Sequence, residues 1–138
     1  MHGEVTGPQV AAGAVVLRDG RLLLISRGRS PGAGKWSLPG GRVEHGEPLS
    51  TTVSRELAEE TGMSVAVGGL CGIAERWIGD AHFVICNFWA TVPEGEEPVA
   101  GDDAAEVRWA SRADLEKLAL VPQLHEWLTA HGVADKLR

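Results

Sequence analysis

A mixed β-sheet flanked by helices is what this sequence predicts, on three observations. Apolar runs of strand length outnumber helical segments. The two kinds do not alternate regularly, which argues against βαβ repetition. One amphipathic segment, residues 48–61, sits between the two groups of strands and carries glutamates. The chain has 138 residues, 43% of them hydrophobic, which suits one domain with a core of its own. A loose tail is expected over residues 1–8 and a single domain over residues 9–138.

Val10 to Leu17 and Leu22 to Ser26 are apolar runs joined by Arg18-Asp19-Gly20-Arg21. Asp-Gly between such runs predicts a tight hairpin, because both residues tolerate positive φ. Residues 28–34 are rich in Gly, Pro and Ser and read as a loop. Trp36-Ser37-Leu38 reads as a short strand, and Pro39-Gly40-Gly41 as a turn. Pro48 to Thr61 reads as a helix, with proline in the first turn and Gly62 just past the end. Val65 to Trp77 and His82 to Val92 read as longer strands around a turn at Gly79-Asp80. An acidic loop over residues 93–103 precedes a strand from Glu106 to Ala110. Ser111 suits the N-cap of a helix from Arg112 to Leu118, and Val121 to Ala130 reads as a final helix.

Composition narrows the function classes. A net charge of −6 argues against nonspecific nucleic-acid binding, which needs a basic surface. It is compatible with a small anionic substrate, because bound metal inverts the local charge. Cys71 and Cys86 lie in apolar stretches without a CxxC pair, so buried free thiols in a reducing compartment are expected. No run of 18 apolar residues suggests a membrane span, and a soluble cytoplasmic protein is the expectation.

The helix from residue 48 holds the strongest signal. With Leu49 at zero and about 100° per residue, Val53 falls near ~40° and Leu57 near ~80°, Glu60 near ~20°, Glu56 near about −20° and Glu59 near about −80°. A solvated acidic face would lie opposite the apolar arc. Here Glu60 points into it and Glu56 lies on its edge, so these carboxylates need a partner to offset desolvation. A divalent cation supplies one, and the spacings of three and four let Glu56, Glu59 and Glu60 converge. Oxygen ligands favour Mg²⁺ or Mn²⁺. Arg55 sits beside the cluster and can orient a carboxylate bidentately.

From Gly41 to Met63 the chain reads G-x5-E-x7-R-E-L-x-E-E-x-G-M. This resembles, at every specified position, the signature of the Nudix hydrolases, MutT-like enzymes with an αβα sandwich (α/β, α+β) whose mixed β-sheet lies between helices. The resemblance implies hydrolysis of a phosphoanhydride bond in a nucleoside diphosphate linked to another moiety, with Mg²⁺ or Mn²⁺ as cofactor. It implies Glu56, Glu59 and Glu60 as metal ligands, the Gly41 carbonyl as a further ligand, and Glu47 and Arg55 as supports that orient them. A carboxylate takes the proton from water; within the family this is a helix glutamate or an acidic residue before the last strand, where Asp102 and Asp103 stand. Asp103 is the preferred extra ligand or base. Homodimers are common among similar enzymes, and a homodimer is carried as an open expectation.

Substrate signals are thinner. Arg27, Arg29 and Lys35 flank the glycine-rich loop and could clamp phosphates. Trp36 and Trp77 could stack on a base, with Arg76 beside them. The proline that often marks ADP-ribose hydrolases is replaced by Ile78, and the tyrosine that often marks dinucleoside polyphosphate hydrolases has no counterpart in a chain without tyrosine. The expected substrate is a small nucleotide, with ADP-ribose or a nucleotide sugar ahead of nucleoside triphosphates. A non-catalytic nucleotide-sensing domain is disfavoured, because such domains usually lose box carboxylates.

Overall fold

The computed structural model describes residues 7–28, 33–101 and 104–138. Strands β1 (Gln9–Arg18) and β2 (Arg21–Arg27) form the expected hairpin, with Asp19 at φ 51° and Gly20 at φ 74° in its turn. Two short strands follow, β3 (Trp36–Ser37) and β4 (Gly40–Arg42), then helix α1 (Leu49–Thr61). Long strands β5 (Ala66–Ile78) and β6 (Ala81–Thr91) lead to β7 (Ala104–Ala110), helices α2 (Arg112–Lys117) and α3 (Leu124–Ala130), and a closing 3-10 turn at Ala134–Lys136.

β1 organises the sheet. It runs parallel to β6 from Gln9↔Phe83 to Val16↔Ala90 and antiparallel to β4 at Ala11↔Arg42 to Gly13↔Gly40. Only its far end pairs with β2, at Leu17↔Leu22 and Arg18↔Arg21. β2 then carries β3 and β7, and β6 carries β5, giving the order β3-β2-β1-β6-β5 with β4 and β7 added on β1 and β2. Alternation along the strands separates two cores. Ala12, Ala14, Val16 and Leu23 pack with Val53 and Leu57 of α1. Val15, Leu22, Leu24 and Trp36 pack with Leu115, Leu124 and Leu128 of α2 and α3. The sheet therefore lies between helices, as expected.

Three local expectations are corrected. Pro39-Gly40-Gly41 does not simply turn; Gly40 and Gly41 enter β4 and pair with β1. The final helix begins at Leu124. Val121 precedes a proline, which disfavours helical backbone, its amide is bonded to the Trp36 carbonyl (2.9 Å), and Gln123 stands at φ 68°. Cys71 and Cys86 are free but only half-buried. α2 starts as expected: Ser111 and Asp114 form a reciprocal capping box. Among the described residues, no helix is long and apolar enough to cross a membrane.

Candidate active site

The acidic cluster forms where α1 crosses β4. Burial of Val53 and Leu57 against β1 fixes the rotation of the helix. Glu56 is turned inward, its side chain 14% exposed, while Glu59 faces out at 44%. Glu60 is half-buried and accepts a hydrogen bond from the Gly40 amide at 2.9 Å. Gly41 makes room for Glu56: a Cβ there would fall on its carboxylate. A side chain at residue 41 would therefore force the Glu56 carboxylate to move from this position.

Arg55 holds the approach segment in place. Its Nε and Nη2 donate to the two carboxylate oxygens of Glu47 at 2.8 and 3.0 Å, a bidentate pair. Nη2 also donates to the Arg42 carbonyl (3.1 Å), and Nη1 lies 3.4 Å from Glu56 and 3.5 Å from Glu59. Glu47 further accepts from the Thr52 hydroxyl (2.6 Å) and the Glu44 amide (3.1 Å). Arg55, then Thr52, holds the Glu47 carboxyl down at about 2, and Glu47 raises Arg55 above its ordinary value. Glu47 is consumed by this support and aims no free oxygen pair at the cluster.

The inner carboxylates are the opposite case. Burial, with the charge of Glu56 adding to it, pushes Glu60 up to about 8, against the pull of the Gly40 amide and Arg27. Burial and the Glu59 charge raise Glu56 as well. Without a cation, burial favours the neutral form of both carboxyls at a site built from acceptors. Among the described residues no three His, Cys, Asp or Glu side chains come together as a group that could hold a metal ion, so Glu56, Glu59 and Glu60 do not converge as the sequence reading expected. Mg²⁺ does not need such a group, since it takes a few carboxylates and completes its shell with water and phosphate. Hard oxygen donors, raised carboxyls and a glycine cradle together fit such an ion.

The candidate substrate residues divide. Arg27, half-buried at the end of β2, is near enough to Glu60 to lower its pKa and to Arg76 to lower that one too, after burial. Arg27 thus stands beside the acidic cluster, and Arg76 is near Arg27. Lys35 is exposed on the loop before β3. Trp36 is buried in the α2–α3 core with Arg108 over its ring, on the face away from α1. Trp77 is 60% exposed and stacked on His82. As neighbours on β5, Arg76 and Trp77 point to opposite faces, so one ligand on one face does not meet both. Arg29 and Asp103 lie outside the described residues. The loop before Asp103 is tied to the end of α1, by Val99 to the Thr61 carbonyl (2.8 Å) and Gly101 to that of Glu60 (3.1 Å).

Two supports escaped the sequence reading, the Gly40 amide and Thr52. Thr52 falls near about −60° on the helical projection, between Glu56 and Glu59, which was a readable signal. A separate polar cleft of about 580 Å³, lined by Arg18, Arg21, Trp109 and Arg138 among others, lies beside the β1–β2 turn and contains none of the cluster.

Residues 7–131 match the family described as the NUDIX domain. The chain belongs to the Nudix family. Among its relatives is the ADP-ribose pyrophosphatase of Methanocaldococcus jannaschii, 39% identical over 114 residues, covering 81% of this chain and 67% of the relative. The oxidized purine nucleoside triphosphate hydrolase of Danio rerio is 32% identical over 90 residues, covering 64% and 58%. The crystal structure of the MutT NUDIX hydrolase from Burkholderia pseudomallei superposes with a TM-score of 0.80 at 32% identity, covering 89% of this chain and 97% of that one. The chain is a hydrolase of phosphoanhydride bonds.

Proposed function

We propose that this Nudix hydrolase is a Mg²⁺-dependent pyrophosphohydrolase acting on ADP-ribose or a nucleotide sugar. The observation that carries the metal reading is the inward pair Glu56 and Glu60, seated on the glycine backbone of β4 with carboxyls raised by burial. Glu56 and Glu60 would hold the ion, joined by Glu59 and the Gly41 carbonyl. When bound, the ion would neutralise phosphate charge and polarise the phosphoryl oxygens.

The protein's own side chains supply the rest. Glu59, the most exposed of the three, would take a proton from the attacking water. Asp103 is the second carboxylate proposed for that step or for the metal. Arg27 would provide the positive charge that a diphosphate needs beside an acidic cluster, with Arg76 near it as a second proposed contact. Lys35 is proposed to extend that clamp, and Arg29 is retained from the sequence alone as a further proposed phosphate contact. Arg55, through Glu47, acts as a positioning residue.

The similarity to the Methanocaldococcus enzyme supports the ADP-ribose reading, and Ile78 at the place of the marker proline weakens it. The similarity to the Danio enzyme supports a second reading, a triphosphate pyrophosphohydrolase that clears oxidised nucleotides. Product analysis separates them. Incubation with Mg²⁺ and ADP-ribose should yield AMP and ribose 5-phosphate, while an oxidised deoxynucleoside triphosphate would yield its monophosphate and pyrophosphate. A faster triphosphate reaction transfers the function to the second reading. Turnover that survives a chelator would overturn both.

A further inference from the structure

Three arginines gather at the end of β2 away from the acidic cluster. The cleft of about 580 Å³ beside the β1–β2 turn is lined by Arg18, Arg21 and Arg138, with Trp109, Asp19 and Glu97 among the rest. Its volume suits a small molecule. Arg21 and Arg27 stand at opposite ends of β2, roughly 20 Å apart. The cleft is therefore distinct from the clamp proposed beside Glu60.

The fold holds these side chains in place. The Arg18 guanidinium lies 4.8 Å from the centre of the Trp109 ring and donates to the Pro93 carbonyl at 2.9 Å. Arg138 is fixed through its backbone. Its amide donates to the Gly20 carbonyl (2.9 Å), and its carbonyl accepts from the Arg112 amide (2.6 Å). Its side chain lies across the turn, where a Cβ on Gly20 would collide with Cγ and Cδ. Gly20 thus serves the turn with its positive φ and leaves room for the arginine above it. One further group wants a partner. The Trp109 indole N–H is buried and, among the described residues, meets no acceptor. A buried donor in that state is costly, and a ligand oxygen in the cleft would be its acceptor.

We infer that this cleft binds a phosphate group. It is independent of which nucleotide the active site takes. Guanidinium forks match phosphate oxygens in pairs. The chain carries a net charge of −6, so a cleft with three arginines against two carboxylates departs from the field around it. Glu97 is the ligand's competitor. Its carboxylate lies 3.6 Å from Arg18 and is 73% exposed. An ion pair this open is weak, so a phosphate of charge near −2 displaces it. Asp19, exposed in the turn, is then the one opposing charge in the lining.

Calorimetric titration of the whole chain with pyrophosphate, in chelator at low salt, tests this. Chelator keeps metal from carrying the anion to the acidic cluster. Pyrophosphate should bind at one site per chain. Arg21→Ala and Arg138→Ala change exposed side chains, and each should weaken binding about 10-fold. Glu97→Gln should tighten it, and Arg27→Ala should leave it unchanged. The Trp109 indole N–H resonance, assigned by its loss in Trp109→Phe, should move during the titration. Inorganic phosphate and AMP are the further arms. Tighter binding of AMP than of inorganic phosphate assigns the group to a nucleotide; equal or weaker binding assigns it to the free ion. No binding at millimolar pyrophosphate, or binding that survives Arg21→Ala and Arg138→Ala together, overturns the proposal. Binding lost in Arg27→Ala and kept in Arg138→Ala would do so too, assigning the anion to the active site.

Discussion

Glu60 is a carboxyl whose surroundings favour its neutral form. In the folded chain its pKa is raised from 4.5 to about 8, chiefly by burial. The folded state therefore binds this proton more tightly than the unfolded chain. The stabilisation is complete below pH 4.5 and is lost as pH rises toward 8. For metal-free protein, the loss across that window should be on the order of a few kcal/mol. Glu60→Gln should flatten it, because the amide cannot ionise, while cutting turnover by orders of magnitude. Denaturant midpoints in chelator at the two ends of the window check this; an unchanged pH slope in the variant would refute the assignment. Glu47 runs the other way. Its carboxyl is held at about 2 by Arg55, so its stabilising effect is present above pH 4.5 and fades as pH falls toward 2.

At the scale of elements, the site is a helix laid on a short strand, and glycine sets the distance between them. Gly41→Ala would push a methyl group into the Glu56 carboxylate. Helix α1 cannot retreat, because Val53 and Leu57 are fully buried against β1. The carboxylate must swing instead. We expect turnover to fall about 100-fold with far-UV circular dichroism unchanged; full activity would show that Glu56 has room to spare. The elements that could be read from sequence were those set locally. The β1–β2 hairpin follows from Asp19-Gly20, and α1 with its inward glutamates from a period of 3.6. β4 could not be read, because three residues with two glycines become a strand only when β1 is beside them. The start of α3 was missed because Val121 gives its amide to Trp36, far away in the chain. Trp36 itself looks the same in sequence whether it stacks on a ligand or fills a core.

For the molecule as a whole, metal and folding should be linked. A cation that binds only where Glu56 and Glu60 are brought together stabilises the folded state by mass action. It also competes with the proton that burial favours on Glu60. Mg²⁺ should therefore raise the melting temperature more at pH 8 than at pH 6, and Glu60→Gln should shrink the difference. Differential scanning fluorimetry is sufficient, and an equal shift at both pH values would argue that the ion binds elsewhere.

The position of β1 also bears on how the chain reaches this state. Its first residues pair with β6, so Val10 must wait for Val84. On a ribosome, the hairpin with β2 can close while β6 is still unmade, and α1 can wind without a sheet to lie on. Pairings between remote parts of a chain slow the search for the native topology. The acidic cluster should thus be among the last features to mature, and newly made chains should acquire metal only after β6 has emerged.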